Sequence, residues 1–479
     1  MPTPPTPSAV NPAARPVITV VGGGFAGTAL VLQLRRQPAL AQAQIHLIEP
    51  RAVPGPGLAY TARRPEYLLN VRPGALSLYP EAPTHFTEWL QHQPESEAGV
   101  PEFAPRSAYG RYLNEELSAA LLAGRENLTW HRTTAEVARL QADGRRAVKL
   151  ADGTMLLSDY VVLALGNFPP PPPAGPDHRY LHHPGYHTDP WSIGNLRRIG
   201  PDDAVLLIGS GLTAVDVLLA LRQDGHRAPV TVVARHGRWP ASHGPVGPAY
   251  PSFYSELAEK TTVNGVLAVF KRHLRAAAAQ GIDWRPVLDS LRPDLGRIWA
   301  AWPLREQRRF LRHLAGLWAV TRHRSPPENA AAVTALTEAG FVQLHIGTVR
   351  EILPDGETLR VRVRPHGAPG SWHVAQHVVC CAGPLLDYSR ITDPLVMSLR
   401  DAAHLTPDSL GLGLLTDSNG ALLQANGSIA PALFTLGPSR RPAYFESTAV
   451  PELRQQAAAL ATELARRVAL AMPGPPANS

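Results

Sequence analysis

Cysteine is nearly missing from this 479-residue chain: there are two, Cys380 and Cys381, side by side. Adjacent thiols exclude a disulfide framework, give no zinc spacing and are not the C-x-x-C pair of a dithiol reductase. Long apolar runs are missing too, and none reaches the roughly 18 to 20 residues of a membrane helix. The N-terminus, MPTPPTPSAVNPAARP, has neither a basic start nor an apolar core. It reads as a disordered tail over residues 1–15, not a signal peptide, and residues 471–479 read as a second tail. The cytoplasm is the default location. No paired carboxylates or nucleophile–base spacing stand out, so no catalytic side chain is named. His182, His183 and His187 lie in an irregular HHPGYH stretch without ligand-like partners. That favours solvent-exposed loop histidines over a metal site.

What is present is ordinary for a globular protein: 44% hydrophobic, 18% charged, and long enough for two or three domains with sizeable cores. The net charge of +7 is unevenly spread. Between Lys271 and Arg324, twelve Lys or Arg stand against four Asp or Glu, and four of the nine tryptophans fall there: Trp284, Trp299, Trp302 and Trp318. The simplest reading is a helical lobe with solvated arginines and a tryptophan-rich core. A nucleic-acid surface and a pocket for an anionic small molecule are the alternatives.

The chain opens with PVITVVGGGFAGTALVLQLRRQ, then QIHLIEPR. Val17 to Val21 suits a buried parallel strand. Gly22, Gly24 and Gly27 form a G-x-G-x-x-G turn, and a helix follows. The first glycine permits the turn, the second lets backbone approach a pyrophosphate, and the third lets helix and strand pack closely. The helix N-terminus offers free N–H groups to phosphate. Glu49, at the tip of the next strand and 22 residues after Gly27, suits a carboxylate that accepts bonds from a ribose.

A second copy reads VLLIGSGLTAVDVLLAL, with Gly209 and Gly211 in place and Ala214 at the third position. Thr213 lies on its helical first turn. Each copy is followed by short strands with turn signals, and each run ends on an apolar strand leading into ALG or CAG. The strand after the second copy, PVTVVARHGR, carries Arg235 and Arg238 where the first has Glu49. A guanidinium suits a 2′-phosphate that a carboxylate would repel. The first site therefore reads as FAD-binding and the second as NADPH-binding.

Taken with VVGGGFAGTAL, PGPGLAY, YLLNVRPGALS, YGRYL, VLALGN, HTDPW, RHRSPP, CAGP and TLGPSRRPAYFESTAVPELRQQAA, the chain resembles a group of FAD/NAD(P)-binding proteins. That group includes a bacterial FAD-dependent urate hydroxylase and an L-aspartate N-monooxygenase that forms nitrosuccinate. It is distantly similar to flavin-containing and N-hydroxylating monooxygenases. The resemblance spans roughly residues 17 to 465. It implies that Gly22, Gly24, Phe25, Ala26, Gly27 and Glu49 bind FAD, with Leu69, Asn70 and Val71 beside the flavin and Gly437 at its edge. The helix from Pro451 would point its N-terminus at the cofactor, capped by Ser447 or Thr448. Trp191 of HTDPW either packs beside the flavin or follows a turn begun by Asp189. In the group the segment before RHR often reads W-D-x-H, whereas here it is Trp318-Ala319-Val320-Thr321, which leaves substrate identity open.

The expected fold is α/β with two Rossmann-like dinucleotide-binding domains on the glutathione-reductase plan and a helical insertion in the second. Residues 16–190 and 376–470 would form the FAD domain. Residues 200–375 would form the NAD(P)H domain, interrupted by a basic helical insertion at about 250–335, whose Arg322 and Arg324 are placed to attract an anionic substrate. The leading function is a flavoprotein oxidoreductase. As a monooxygenase, it would have NADPH reduce FAD, oxygen add as a C4a-hydroperoxyflavin, and a small substrate become hydroxylated. The alternative is an NADPH-dependent flavin reductase or dehydrogenase with a non-oxygen acceptor. A flavin-containing binding or redox-sensor protein is more remote. The expected partners are a small molecule and oxygen, without nucleic acid or membrane. Oligomeric state leaves no mark in the sequence.

Overall fold

The computed structural model describes residues 15–94, 99–173, 175, 177–191, 194, 196–446 and 448–471. The expected tails, apart from Arg15 and Ala471, lie outside these residues.

Seven strands come first. They are β1 (Val17–Val21), β2 (Gln44–Ile48), β3 (Leu128–His131), β4 (Ala135–Leu140), β5 (Arg146–Leu150), β6 (Met155–Ser158) and β7 (Tyr160–Leu163). A short β8 (Tyr186–His187) precedes β9 (Val205–Ile208), β10 (Val230–Ala234), β11 (Val342–Ile346), β12 (Thr348–Asp355), β13 (Thr358–Arg364), β14 (Ser371–Ala375) and β15 (His377–Cys380). Two more, β16 (Ala421–Leu423) and β17 (Ile429–Thr435), complete the set. One sheet runs β16-β17-β7-β1-β2-β3 and the other β11-β10-β9-β15-β8, while β4-β5-β6 and β12-β13-β14 form separate antiparallel sheets. The central pairs β1–β2, β1–β7, β9–β10 and β9–β15 are all parallel. The fold is therefore the expected α/β arrangement, and the order β17-β7-β1-β2-β3 recurs as β8-β15-β9-β10-β11, with β16 unmatched.

Each glycine turn meets the strand that closes its repeat. Gly22 has φ +108° and Gly209 has φ +109°. A Cβ on Gly22 would collide with the carbonyl of Ala164, after β7, and one on Gly209 would lie 2.8 Å from the Cys381 oxygen, after β15. Only glycine is comfortable at such a φ. The strand His377–Cys380 is hydrogen-bonded into the second sheet beside β9, although its sequence position suggested the resumed first domain. The chain returns to the first core after the Cys381-Ala382-Gly383-Pro384 turn, with Tyr388, Ile391 and Leu395 packed near β7 and β17 residues.

The first sheet packs against helix Phe25–Leu34, all ten of whose residues are buried. That helix lies against the last one, Val450–Ala471. A helix apolar all round belongs in such a position.

The basic insertion folds as helices Val263–Ala279, Trp284–Asp289, Leu295–Ala301, Leu304–His313 and Ala315–Arg322. Thr262 and Asp283 cap the first two through Gly265 N and Arg285 N. The arginines of LREQRRFLRH are exposed while Trp299, Trp302 and Phe310 are buried. Solvated arginines over a tryptophan-rich core thus describe the outer face. Arg322 and Arg324 are exceptions and turn inward.

Candidate functional site

At the first glycine turn, Gly23 N donates to Glu49 Oε2 at 2.9 Å. The other carboxylate oxygen accepts from Arg51 N and Arg51 Nη1. Glu49 is buried at the strand tip, held where a ribose would meet it. The loop Pro54-Gly55-Pro56-Gly57 closes over the turn, with Gly55 N donating to Gly23 O at 2.8 Å. Gly27 admits no Cβ because the Gly22 carbonyl occupies that space. Gly24 differs: its φ of −74° and ψ of −167° suit any residue, and a Cβ there would meet the Gly57 backbone, with Cα nearest at 3.4 Å. Phe25 and Ala26 begin the helix. Gly437, after β17, has φ +95° and faces Ala26, and its N–H donates to Gln456 Oε1 at 3.2 Å. Leu453 N bonds Ala449 O, so Ala449 and not Thr448 caps the last helix. Ser447 lies outside the described residues.

The second turn is more open. Gly211 has φ −80° and ψ −172°, and nothing lies within 4 Å of a Cβ placed on it. Among the described residues neither backbone conformation nor protein packing demands glycine there. Thr213 is half-buried on the helix that follows, and Arg235 and Arg238 are exposed. Ser210 Oγ donates to Arg238 O at 2.7 Å, tying the arginine loop to the glycine turn. No hydrogen bond or ion pair engages either guanidinium among the described residues.

Between the two units lies a cavity of about 350 Å³ lined by Leu69, Asn70, Val71, Arg322, Arg324 and Ala449, among others. Leu69 N donates to Ala104 O, and Asn70 O accepts from His243 Nε2 at 2.9 Å. Arg324 is fully engaged: it forks onto Asp289 at 2.8 and 2.9 Å, donates to Thr321 O, and stacks over Trp284. Its guanidinium holds two helices of the lobe together, so the substrate-attracting role expected of it does not match its surroundings. Arg322 faces Glu446 at 3.7 Å, and its Nε and Nη2, like Glu446 Oε2, are buried without a hydrogen-bond partner. Burial pulls the Arg322 pKa down while Glu446 opposes that. Every arginine on this wall has a carboxylate: Arg72–Glu102, Arg106–Asp216, Arg292–Glu452, Arg322–Glu446 and Arg324–Asp289. The cavity is rich in charge yet balanced. Replacing Arg324 with alanine is expected to destabilise the protein by about 1–3 kcal/mol through lost charged bonds, read as a lower Tm, with flavin content unchanged.

Trp191 packs against the second core, with the Arg106 guanidinium 5.0 Å from its ring centre. Its backbone N–H donates to Asp189 Oδ1 at 3.0 Å, so a turn begins there. Arg106, on helix Arg106–Ala123, reaches Asp216, on helix Leu212–Gln223, at 3.4 Å. Both side chains are buried, and their ion pair links the two units. Sequence reading missed it, although an acid inside the apolar run LTAVDVLLAL was a visible signal. Burial raises the Asp216 carboxyl to about 6, against the pull of Arg106 and with a push from Glu66. The folded form therefore holds a proton that the unfolded chain has released. Stability from this group falls as pH rises from about 4 to about 6, by up to about 3 kcal/mol. Asp216→Asn should flatten that part of the profile, as measured by urea unfolding at pH 4.5 and 7.

Cys380 and Cys381 are buried, and burial pushes both thiols up. They pack at a strand end and are not poised as thiolates. Replacing both with alanine should leave the rate of flavin reduction by NADPH within about twofold, measured in a stopped-flow spectrometer. Of the histidines, His182 is exposed and His183 bonds Gly356 O. His187 corrects the loop expectation: it is buried in β8, and its Nε2 meets His377 Nδ1 at 3.0 Å. Burial and His377 lower its pKa to about 4. Among the described residues no cluster of three or more His, Cys, Asp or Glu is arranged for a metal, and no helix is long and apolar enough to cross a membrane.

Residues 19–168 match a family model described as FAD-NAD(P)-binding. No curated protein matches the sequence. Among solved structures, the chain is similar to the FAD-bound cadaverine monooxygenase of Erwinia amylovora, at 13% identity over 97% of this chain and 96% of that one, with a TM-score of 0.65. It is similar to an ornithine N-hydroxylase of Kutzneria sp. 744, solved with reduced FAD, NADP+ and L-ornithine, at 14% identity over 95% and 99%, TM-score 0.63. A bacillithiol disulfide reductase of Bacillus cereus is similar at 14% identity over 95% and 99%, TM-score 0.52. The chain shares the two-unit fold of these flavoproteins, and its residues 19–168 match the FAD-NAD(P)-binding model.

Proposed function

We propose that the chain is an FAD-dependent, NADPH-using monooxygenase that hydroxylates a small substrate. FAD would be held by the turn Gly22–Gly27, by Glu49 and by Gly437 with the last helix. NADPH would be held by Gly209, Gly211 and Thr213, with its 2′-phosphate on Arg235 and Arg238. When bound, FAD supplies hydride acceptance and oxygen activation. The protein's share is to bind, orient and exclude water.

The observation that carries this reading is the cavity between the units. It brings the Leu69–Val71 loop, Ala449 at the start of the last helix, and Arg322 of the inserted lobe to one place. The N-hydroxylating enzymes with this fold act on small amines and amino acids, which supports a similar substrate scale here. The buried, high-pKa cysteines disfavour the dithiol-reductase alternative. On this reading the chain is a relative of the urate- and aspartate-oxidising flavoproteins and works in the cytoplasm. We place the first domain at residues 16–190 with its continuation after the 381–384 turn, and the second, with its lobe, between them. The test is NADPH oxidation by the FAD-loaded protein, followed together with oxygen uptake. Equal rates of the two, with less peroxide released than oxygen consumed once substrate is present, support the proposal, whereas NADPH oxidation that requires an added quinone and consumes no oxygen would remove it.

A further inference from the structure

The inserted lobe, with Phe445, forms a second, half-open cavity of about 280 Å³, whose walls are almost wholly apolar. Trp284, Trp299, Trp302, Trp318, Phe310 and Phe445 supply its aromatic surface. Dry apolar cavities of roughly half this size bind benzene, so this one has room for a ring with a short chain. Helix Ala315–Arg322 forms one wall, yet none of its residues is buried. Its apolar side, Leu317 and Trp318, faces space that another group should fill. Trp299 and Trp318 find acceptors at Pro442 O and Glu446 Oε1, while Trp302 Nε1 is buried without one.

The chamber and the cavity between the units share their partition. Leu288, Leu291, Thr321 and Phe445 line the first, and their neighbours Asp289, Arg292 and Arg322 line the second. Trp318 on the chamber side donates to Glu446, which faces Arg322. Arg322 lines the polar cavity only, one residue along the helix from Thr321, which lines the chamber. Among the described residues its Nη2 has only the Glu446 carboxylate, at the ion-pair distance of 3.7 Å, and its Nε has no acceptor.

We propose that this chamber takes the apolar body of the substrate and that Arg322 takes a carboxylate carried on it. The substrate is then an amphipathic monocarboxylate with an aromatic or branched aliphatic body, unlike a slender diamine or a basic amino acid. The substrate role rests on the monooxygenase reading, while the binding site does not.

The test is calorimetry on the oxidised, FAD-loaded protein with 4-phenylbutyrate, 4-phenylbutanol and L-lysine. The expected order is phenylbutyrate tightest, phenylbutanol at least tenfold weaker, and no saturable lysine binding. Leu267→Trp, which fills the chamber, should weaken both phenyl probes at least tenfold with flavin content unchanged. Arg322→Gln should erase only the difference between them. Lysine bound as tightly as phenylbutyrate, or phenyl binding indifferent to Leu267→Trp, would overturn the proposal. Should Leu267→Trp fail to fold, xenon-pressurised crystals of the unaltered protein decide: a xenon peak among Trp299, Trp302 and Phe310 supports it, and none refutes it. Stimulation of NADPH oxidation by phenylbutyrate is scored separately. Binding without stimulation keeps the site and counts against the monooxygenase reading alone.

Discussion

Gly24→Ala is expected to yield a protein that folds with an unchanged Tm and has lost most of its flavin. The backbone at Gly24 is extended, a conformation alanine adopts freely. The nearest protein atom to the added methyl is Gly57 Cα, at 3.4 Å. The protein alone gives no reason for glycine at this position. A pyrophosphate seated on the helix N-terminus does, because its oxygens need the space directly over the backbone. The expected loss is at least tenfold in FAD affinity, or about 1.4 kcal/mol, measured by flavin retention through gel filtration and by titration of the apoprotein. Gly27→Ala is the contrast. There the methyl would strike the Gly22 carbonyl, so overpacking of about 1–3 kcal/mol should lower the Tm as well as the flavin content. Gly74→Ala, with nothing within 4 Å, should change neither. Full flavin retention in Gly24→Ala would mean that the first turn is not a pyrophosphate seat.

The second large effect concerns cofactor choice. Arg235 and Arg238 are exposed at the end of β10, next to the open turn at Gly211. Reversing both charges places two carboxylates where a 2′-phosphate would sit. Charge-assisted bonds are worth about 1.5–3 kcal/mol each, so the double variant Arg235→Glu/Arg238→Glu should raise the KM for NADPH by about a hundredfold or more. NADH, which lacks that phosphate, should be used as before or better. The Tm should stay within a degree or two, because both side chains are exposed and unpaired among the described residues, and exposed substitutions cost about 0.5 kcal/mol or less. Equal losses with both nicotinamides would place these arginines outside the ribose site.

How much of this was legible in the sequence varied with how local the signal was. Both glycine turns, Glu49 and the buried strands could be read directly, since each is fixed by residues within one strand–turn–helix unit. The duplicated plan was legible from ALG and CAG, whose carbonyls now lie against Gly22 and Gly209. The placement of His377–Cys380 was not. Which sheet a short apolar strand joins depends on a neighbour more than 150 residues away, here Val205–Ile208. Arg322 and Arg324 looked equivalent in RHR, yet Asp289 saturates one and leaves the other with orphaned donors. Only a fold brings an aspartate from another helix to one arginine and not to its near neighbour. Trp299 and Trp302 read correctly as core, whereas Trp284 and Trp318 stay half-buried at an open chamber, a property of helix packing that no spacing records.

The most direct test of the central claim is to reduce the FAD-loaded protein anaerobically with NADPH and mix it with aerated buffer in a stopped-flow spectrometer. The account predicts rapid reduction by NADPH, slower reduction by NADH, and then a transient absorbing near roughly 370 to 390 nm, a property of oxygen-reacting flavin, that persists before the oxidised spectrum returns. Reduced flavin that survives aeration and is emptied only by an added quinone would contradict the account.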